Sequence, residues 1–187
     1  MSGPVLHIDF VSLAASITTA ARLSLIEAAR GLGSITGAQS IGLIEADAGS
    51  DFDLALLCFL AGPGELEAFG TDERYARFLH TSLAPLLGAL AGVDVQLEDE
   101  LAPDDGYLAC LAIAAPAETY DWEVRALLDT WLERLRPQAS AAGLAIGERQ
   151  RYRGLALALS QQPLAALRPA ELQLTSSLIC GRLSRLA

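Results

Sequence analysis

Residues Asp51–Asp99 read DFDLALLCFLAGPGELEAFGTDERYARFLHTSLAPLLGALAGVDVQLED. The apolar run Phe52–Leu60 stops at Ala61-Gly62-Pro63-Gly64, which favours a turn. A long amphipathic stretch follows, in which Leu66, Phe69, Tyr75, Phe78, Leu79, Leu83 and Leu86 approximate one helical stripe. Asp72, Glu73, Arg74 and Arg77 fall largely outside that stripe, and Pro85 shortens or kinks its last turns. Val93-Asp94-Val95-Gln96-Leu97 then alternates as a strand does, within a strand expected over 92–97. The stretch therefore reads strand, turn, helix, strand.

Working outward, residues 4–13 also alternate, with Leu6, Ile8 and Phe10 on one face and Val5, His7, Asp9 and Val11 on the other. A helix is expected over 16–32, ended by Gly31 and Gly33, and a strand over 38–46, followed by the turn Asp47-Ala48-Gly49-Ser50. The order β-α-β-β-α-β is the split βαβ, ferredoxin-like arrangement. Leu101-Ala102-Pro103-Asp104-Asp105-Gly106 is a polar cluster that divides the chain into repeats over 1–100 and 106–187. The second repeat restarts with a strand over 107–115 and a helix over 121–136. Val124, Leu127, Leu128, Trp131, Leu132 and Leu135 form the helix stripe, with Trp131 in the core and Trp122 packed where the helix begins. Strands are expected over 144–153 and 155–160. Residues 169–186 fit either a helix begun near Pro169 or a strand in which Leu172, Leu174, Ser176 and Leu178 alternate. The fold class expected is α+β: two ferredoxin-like halves, the second diverged or truncated, forming an α/β barrel. Two such sheets packed face to face enclose a cavity. If the fully apolar face of the first strand lies under the helices, His7 and Asp9 point into that cavity.

Composition narrows the function. The 187 residues are 52% hydrophobic and 19% charged, enough for a real core. All 13 basic residues are arginines, so no lysine is available for Schiff-base chemistry. A net charge of -10 disfavours nucleic acid as a partner. MSGPVLHIDF lacks the basic and apolar regions of a signal peptide, and no apolar run approaches the roughly 20 residues of a membrane helix. Cys58, Cys110 and Cys180 lie in apolar contexts without metal-type spacing, as buried thiols of a cytoplasmic protein would. With only two histidines, no zinc-ligand cluster or haem site is expected, and no cofactor. The short Gly62-Pro63-Gly64 is no phosphate loop.

The segments His7-Ile8-Asp9-Phe10, Asp51-Phe52-Asp53-Leu54-Ala55-Leu56, Glu65-Leu66-Glu67-Ala68-Phe69 and Asp72-Glu73-Arg74-Tyr75-Ala76-Arg77-Phe78 resemble the stress-responsive dimeric α/β-barrel (Dabb) family over residues 4–99. Residues 106–187 match that family in outline only. Some of its members close polyketide rings by aldol chemistry, using one histidine from the first strand and another from the second helix. His7 matches the first position, whereas Tyr75 stands at the second and Asp72 replaces a further helix histidine.

The resemblance implies a small, apolar, oxygenated ligand held by Phe10, Phe69, Phe78 and Leu79. His7 would act as base, Asp9 would orient it, and Tyr75 would bind oxygen. The activity so implied is a cofactor-independent cyclase, lyase or isomerase. The alternatives are a non-catalytic ligand- or partner-binding barrel and a cofactor-free monooxygenase. Closure within one chain and closure between two are both open. His80 is off the Tyr75 face and is read as a surface residue. Arg149, Arg151 and Arg153 share a strand face, either as an anion grip or as a charged edge.

Overall fold

A computed structural model describes residues 4–35, 37–97, 105–116, 118–139, 141–146, 152–164 and 175–186, the backbone alone for 34, 141–146 and 175. The first half runs β1 (Val5–Leu13), α1 (Thr19–Arg30), β2 (Ala38–Ala46), β3 (Leu54–Leu60), α2 (Pro63–Gly70), α3 (Glu73–Arg77) and β4 (Leu87–Gln96). The second runs β5 (Gly106–Ala114), α4 (Asp121–Leu135), β6 (Ala141–Ile146), β7 (Gly154–Ser160) and β8 (Thr175–Arg185). All eight strands form one antiparallel sheet in the order β4-β1-β3-β2-β8-β5-β7-β6. Each half therefore repeats one order, β4-β1-β3-β2 matching β8-β5-β7-β6. The sheet curls until its edge strands β4 and β6 approach each other. The fold is the tandem ferredoxin-like barrel expected from the sequence, its halves joined within one chain through β2 and β8.

That joint depends on a glycine and a turn. A Cβ on Gly181 would lie 2.0 Å from the Glu45 carbonyl oxygen, so β8 passes β2 closely only because Gly181 has no side chain. The β2–β3 turn closes the seam further. Asp47 and Asp51 amides donate to the carbonyls of Cys180 and Leu178, and the Leu178 amide donates to Asp51 Oδ2 at 2.6 Å. Ser50 Oγ both donates to the Cys180 carbonyl and accepts from its amide. Backbone groups that an unpaired strand would expose are thus satisfied across the joint.

Strand alternation sorts the core into three clusters. The barrel interior holds Leu6, Ile8, Phe10, Leu57, Phe59, Val93, Leu108, Cys110, Leu157, Ile179 and Leu183 among others, all buried. Phe10 stacks on Phe52 at 5.0 Å and meets the Tyr152 ring edge-on at 5.7 Å. Fully burying each large aliphatic or aromatic side chain contributes roughly 1.5–3 kcal/mol. Two outer clusters lie under the helices. One joins Val5, Val11, Leu56, Cys58 and Leu60 to Leu25, Ile26, Phe69, Tyr75 and Phe78. The other joins Ala109, Leu111, Ile113 and Ala158 to Val124, Leu128 and Trp131.

This arrangement reverses the expected facing of β1. Its fully apolar face fills the barrel interior, and the mixed face carrying His7 and Asp9 lies under the helices. The physical reason is exposure. Eight strands share the interior, so it takes the wholly apolar face of β1, the one phenol named there, Tyr152, being satisfied by Ser177, while the short helices over β1 bring polar partners of their own.

Other differences are local. The expected long helix is broken at Thr71-Asp72, because the Asp72 carboxylate caps α3 by accepting from the Arg74 amide at 2.8 Å. A π-helical turn (Phe78–Leu83) and a 3-10 turn (Ala84–Leu86) replace its end. Strand β4 begins earlier than expected, at Leu87. Trp122 is 66% exposed, stacked on Tyr120, not packed into the protein. The tail is strand β8, inside the sheet; Leu172 and Leu174 lie outside the described residues. So do Arg149 and Arg151, and most of the boundary at 101–106. Arg153 precedes β7, an inner strand, and pairs with Asp121 of α4. No helix among the described residues is long and apolar enough to cross a membrane.

Candidate functional site

On β1, alternation puts His7 and Asp9 on the same outer face. Asp72 caps the start of α3, and that turn brings Tyr75 down onto the pair. The Tyr75 hydroxyl donates to Asp9 Oδ2 at 2.5 Å and lies 3.1 Å from His7 Nε2. His7 Nε2 is also 3.3 Å from Asp9 Oδ2. The other ring nitrogen, Nδ1, lies 2.6 Å from Oδ1 of Asp94, directly opposite His7 on β4. Phe69 packs over the imidazole with ring centres 5.3 Å apart and touches Tyr75 at 4.4 Å. Cys58 faces His7 from β3.

The electrostatics follow from this packing. Burial disfavours a charged His7 ring, but hydrogen bonds and charge from Asp9 and Asp94 outweigh it and raise its pKa to about 9. At neutral pH His7 is an imidazolium, donating from Nδ1 to Asp94 and from Nε2 toward Tyr75 and Asp9. Burial, followed by the nearby Asp9 charge, pushes the Tyr75 phenol well above its ordinary value. The Cys58 thiol is raised by the same two causes, so both groups stay protonated. The site is thus a buried carboxylate, Asp9, 4% exposed, held against two proton donors.

The structure brings together His7, Asp9, Tyr75 and Phe69 as the sequence paired them. Phe78 and Asp9 line a small apolar cavity with Leu25, Ile26, Leu56 and Leu83, about 10 Å³ in volume, roughly the space of one water. Leu79 is half-buried against the same cluster. Phe10 is not part of the site: it points to the opposite face, into the filled barrel interior. His80 is exposed. Asp72 serves the α3 cap and pairs with Arg74. Sequence reading missed Asp94. Its signal was present, a lone acid in Val93-Asp94-Val95 on a strand that the ferredoxin order pairs with β1.

No family model matches the chain, and no curated protein matches it by sequence. Solved structures match its whole length. An anthrone oxidase-like protein aligns with TM-score 0.65 and 9% identity, over 100% of this chain and 94% of its own. A protein named as a candidate monooxygenase from Lactobacillus acidophilus aligns with TM-score 0.61 and 10% identity, over 99% and 95%. A heme-binding protein from Thermus thermophilus aligns with TM-score 0.57 and 16% identity, over 98% and 92%. Among the described residues, His80 lies on the surface and both ring nitrogens of His7 are engaged. At these identities the likeness is one of fold: the chain has the tandem ferredoxin-like barrel fold that these proteins share.

Proposed function

We propose that the first half binds a small, largely apolar, oxygenated molecule beside Asp9, on the helix-covered face of β1, and moves protons on it. The observation that carries this reading is the His7–Asp9–Tyr75–Asp94 cluster, buried beside an apolar cavity. Buried ion pairs are commonly no better for stability than well-packed hydrocarbon, so such a cluster calls for a role beyond folding. A ligand carbonyl that draws the His7 Nε2–H and the Tyr75 hydroxyl away from Asp9 takes up both donors, which stabilise the enolate that forms. Asp9 accepts the proton from the adjacent carbon and returns it elsewhere on the ligand. His7, first read as the base, serves here as the acid. Enolisation of this kind is the first step of an aldol-type ring closure or an isomerisation, and it needs no cofactor. The π-helical turn and the break at Thr71-Asp72 are the irregular part of the cover.

The test is exchange of carbon-bound hydrogen on 2-tetralone in heavy water. Wild-type protein should accelerate deuterium uptake beside the carbonyl about 100-fold or more over His7→Ala. Equal rates in the two proteins would rule out acid–base catalysis at His7. The small cavity favours a second reading, a ligand-binding barrel without turnover; binding of 2-tetralone with no exchange would support it. A third reading, cofactor-free oxygenation, draws on the names of two fold neighbours, an anthrone oxidase-like protein and a candidate monooxygenase. Oxygen uptake with a hydroquinone would distinguish it.

A further inference from the structure

Asp9 is buried, yet among the described residues only one of its oxygens is occupied. Oδ2 accepts from Tyr75 and lies beside His7, whereas Oδ1 accepts no hydrogen bond from any described residue. Directly opposite Asp9 on β4 stands Gly92. A Cβ at Gly92 would meet Asp9 Oδ1 at 3.4 Å and His7 Cε1 at 4.0 Å, with nothing else within 4 Å. Gly92 is exposed and belongs to an edge strand. Its neighbours Ala91 and Val93 point the other way, into the barrel interior. Extended backbone there needs no glycine, so what the glycine supplies is space. At the matching place in the second half, Leu178 lies opposite Leu111, and both are buried.

From these contacts the structure assigns Gly92 as the opening of the site, through which a ligand meets Asp9 Oδ1. The absent side chain leaves a carboxylate lone pair facing the edge of the sheet, next to the charged imidazole. The group that fits there carries an acidic hydrogen, either a hydroxyl or a carbon–hydrogen bond beside a carbonyl. Its neighbouring oxygen then falls to the His7 and Tyr75 donors. Residue 92 thereby sets the size of what reaches the carboxylate. This inference rests on the proposed acid–base reading and adds the route and the specificity residue to it.

The experiment follows the His7 ring nitrogens by NMR while 2-tetralone is added to wild-type protein, Gly92→Leu, Gly92→Ala and Gln96→Leu. Gln96 lies on the same strand and face, four residues on, and is exposed. Gly92→Leu, which copies the second half, should weaken binding at least tenfold and leave the His7 titration in place. Gly92→Ala, whose methyl meets Asp9 at ordinary contact distance, should weaken it about threefold and keeps the test open if the leucine variant folds poorly. Gln96→Leu should bind as wild type does. If 2-tetralone binds both Gly92 variants as tightly as wild type, Gly92 is not the opening, and the acid–base reading stands. If wild-type His7 responds to no concentration of 2-tetralone and exchange is absent, the acid–base reading fails and this inference fails with it.

Discussion

The outer faces of the two half-sheets occupy equivalent positions and are built from opposite materials. In the first half, His7 lies opposite Cys58 and Asp94, and Asp9 lies opposite Leu56 and Gly92. In the second, Ala109 lies opposite Ala158 and Cys180, and Leu111 opposite Ala156 and Leu178. The second half closes with hydrocarbon, packed under the single 15-residue helix α4 and its buried Trp131. The first is covered in part by two short helices and a π-helical turn. The backbone plan therefore does not require polar groups at these positions. A buried carboxylate and imidazolium cost desolvation that alanine and leucine do not, and the fold evidently forms with either. What distinguishes the first half is the buried polar cluster of His7, Asp9 and Tyr75.

Moving the first half's chemistry into the second without its partners should have the largest effect. Leu111→Asp puts a carboxylate where no donor from Tyr75 or His7 exists, at a position 0% exposed. It should destabilise the protein by about 4 kcal/mol, read from urea unfolding. A loss below 1 kcal/mol would mean that the two faces are not so different. Next comes the joint. Gly181→Val drives a side chain into the Glu45 carbonyl and should cost about 3 kcal/mol. Unfolding should then split into two transitions if the halves separate there; one unchanged transition would show that the seam depends on other contacts. The smallest effect is expected from Asp94→Asn, which removes one of the two carboxylates facing His7. The His7 pKa should fall from about 9 yet stay above 6.5, because Asp9 remains. A fall to 6.5 would make Asp94 the dominant partner.

Part of this was legible in the sequence. Two-residue alternation put His7 and Asp9 on one face of β1, and strand order gave the fold, because both depend on local pattern. Tyr75 could be paired with them only through the family resemblance, since it lies 66 residues from Asp9. Which face of β1 lay under helices was not readable. Val5 and Val11 make the mixed face nearly as apolar as the other, and the outcome depends on how eight strands share one interior. Asp94 was visible as a polar residue but not as a partner, because its meaning comes from the register of β4 on β1. The break at Asp72 was readable as a cap and was obscured by the continuity of the apolar stripe. The tail strand held both periodicities, and its neighbours β2 and β5 decided between them.

His7 is held charged between Asp9 and Asp94. The most direct test is an NMR titration of the His7 imidazole in wild-type protein, paired with unfolding of wild type and His7→Gln across the same pH range. The expected pKa is about 9. Because this folded-state value exceeds the ordinary 6.5, the stability His7 contributes should be complete below pH 6.5 and lost as pH rises through 9. A His7 pKa at or below 6.5, with no pH dependence of the stability difference in that window, would contradict the claim.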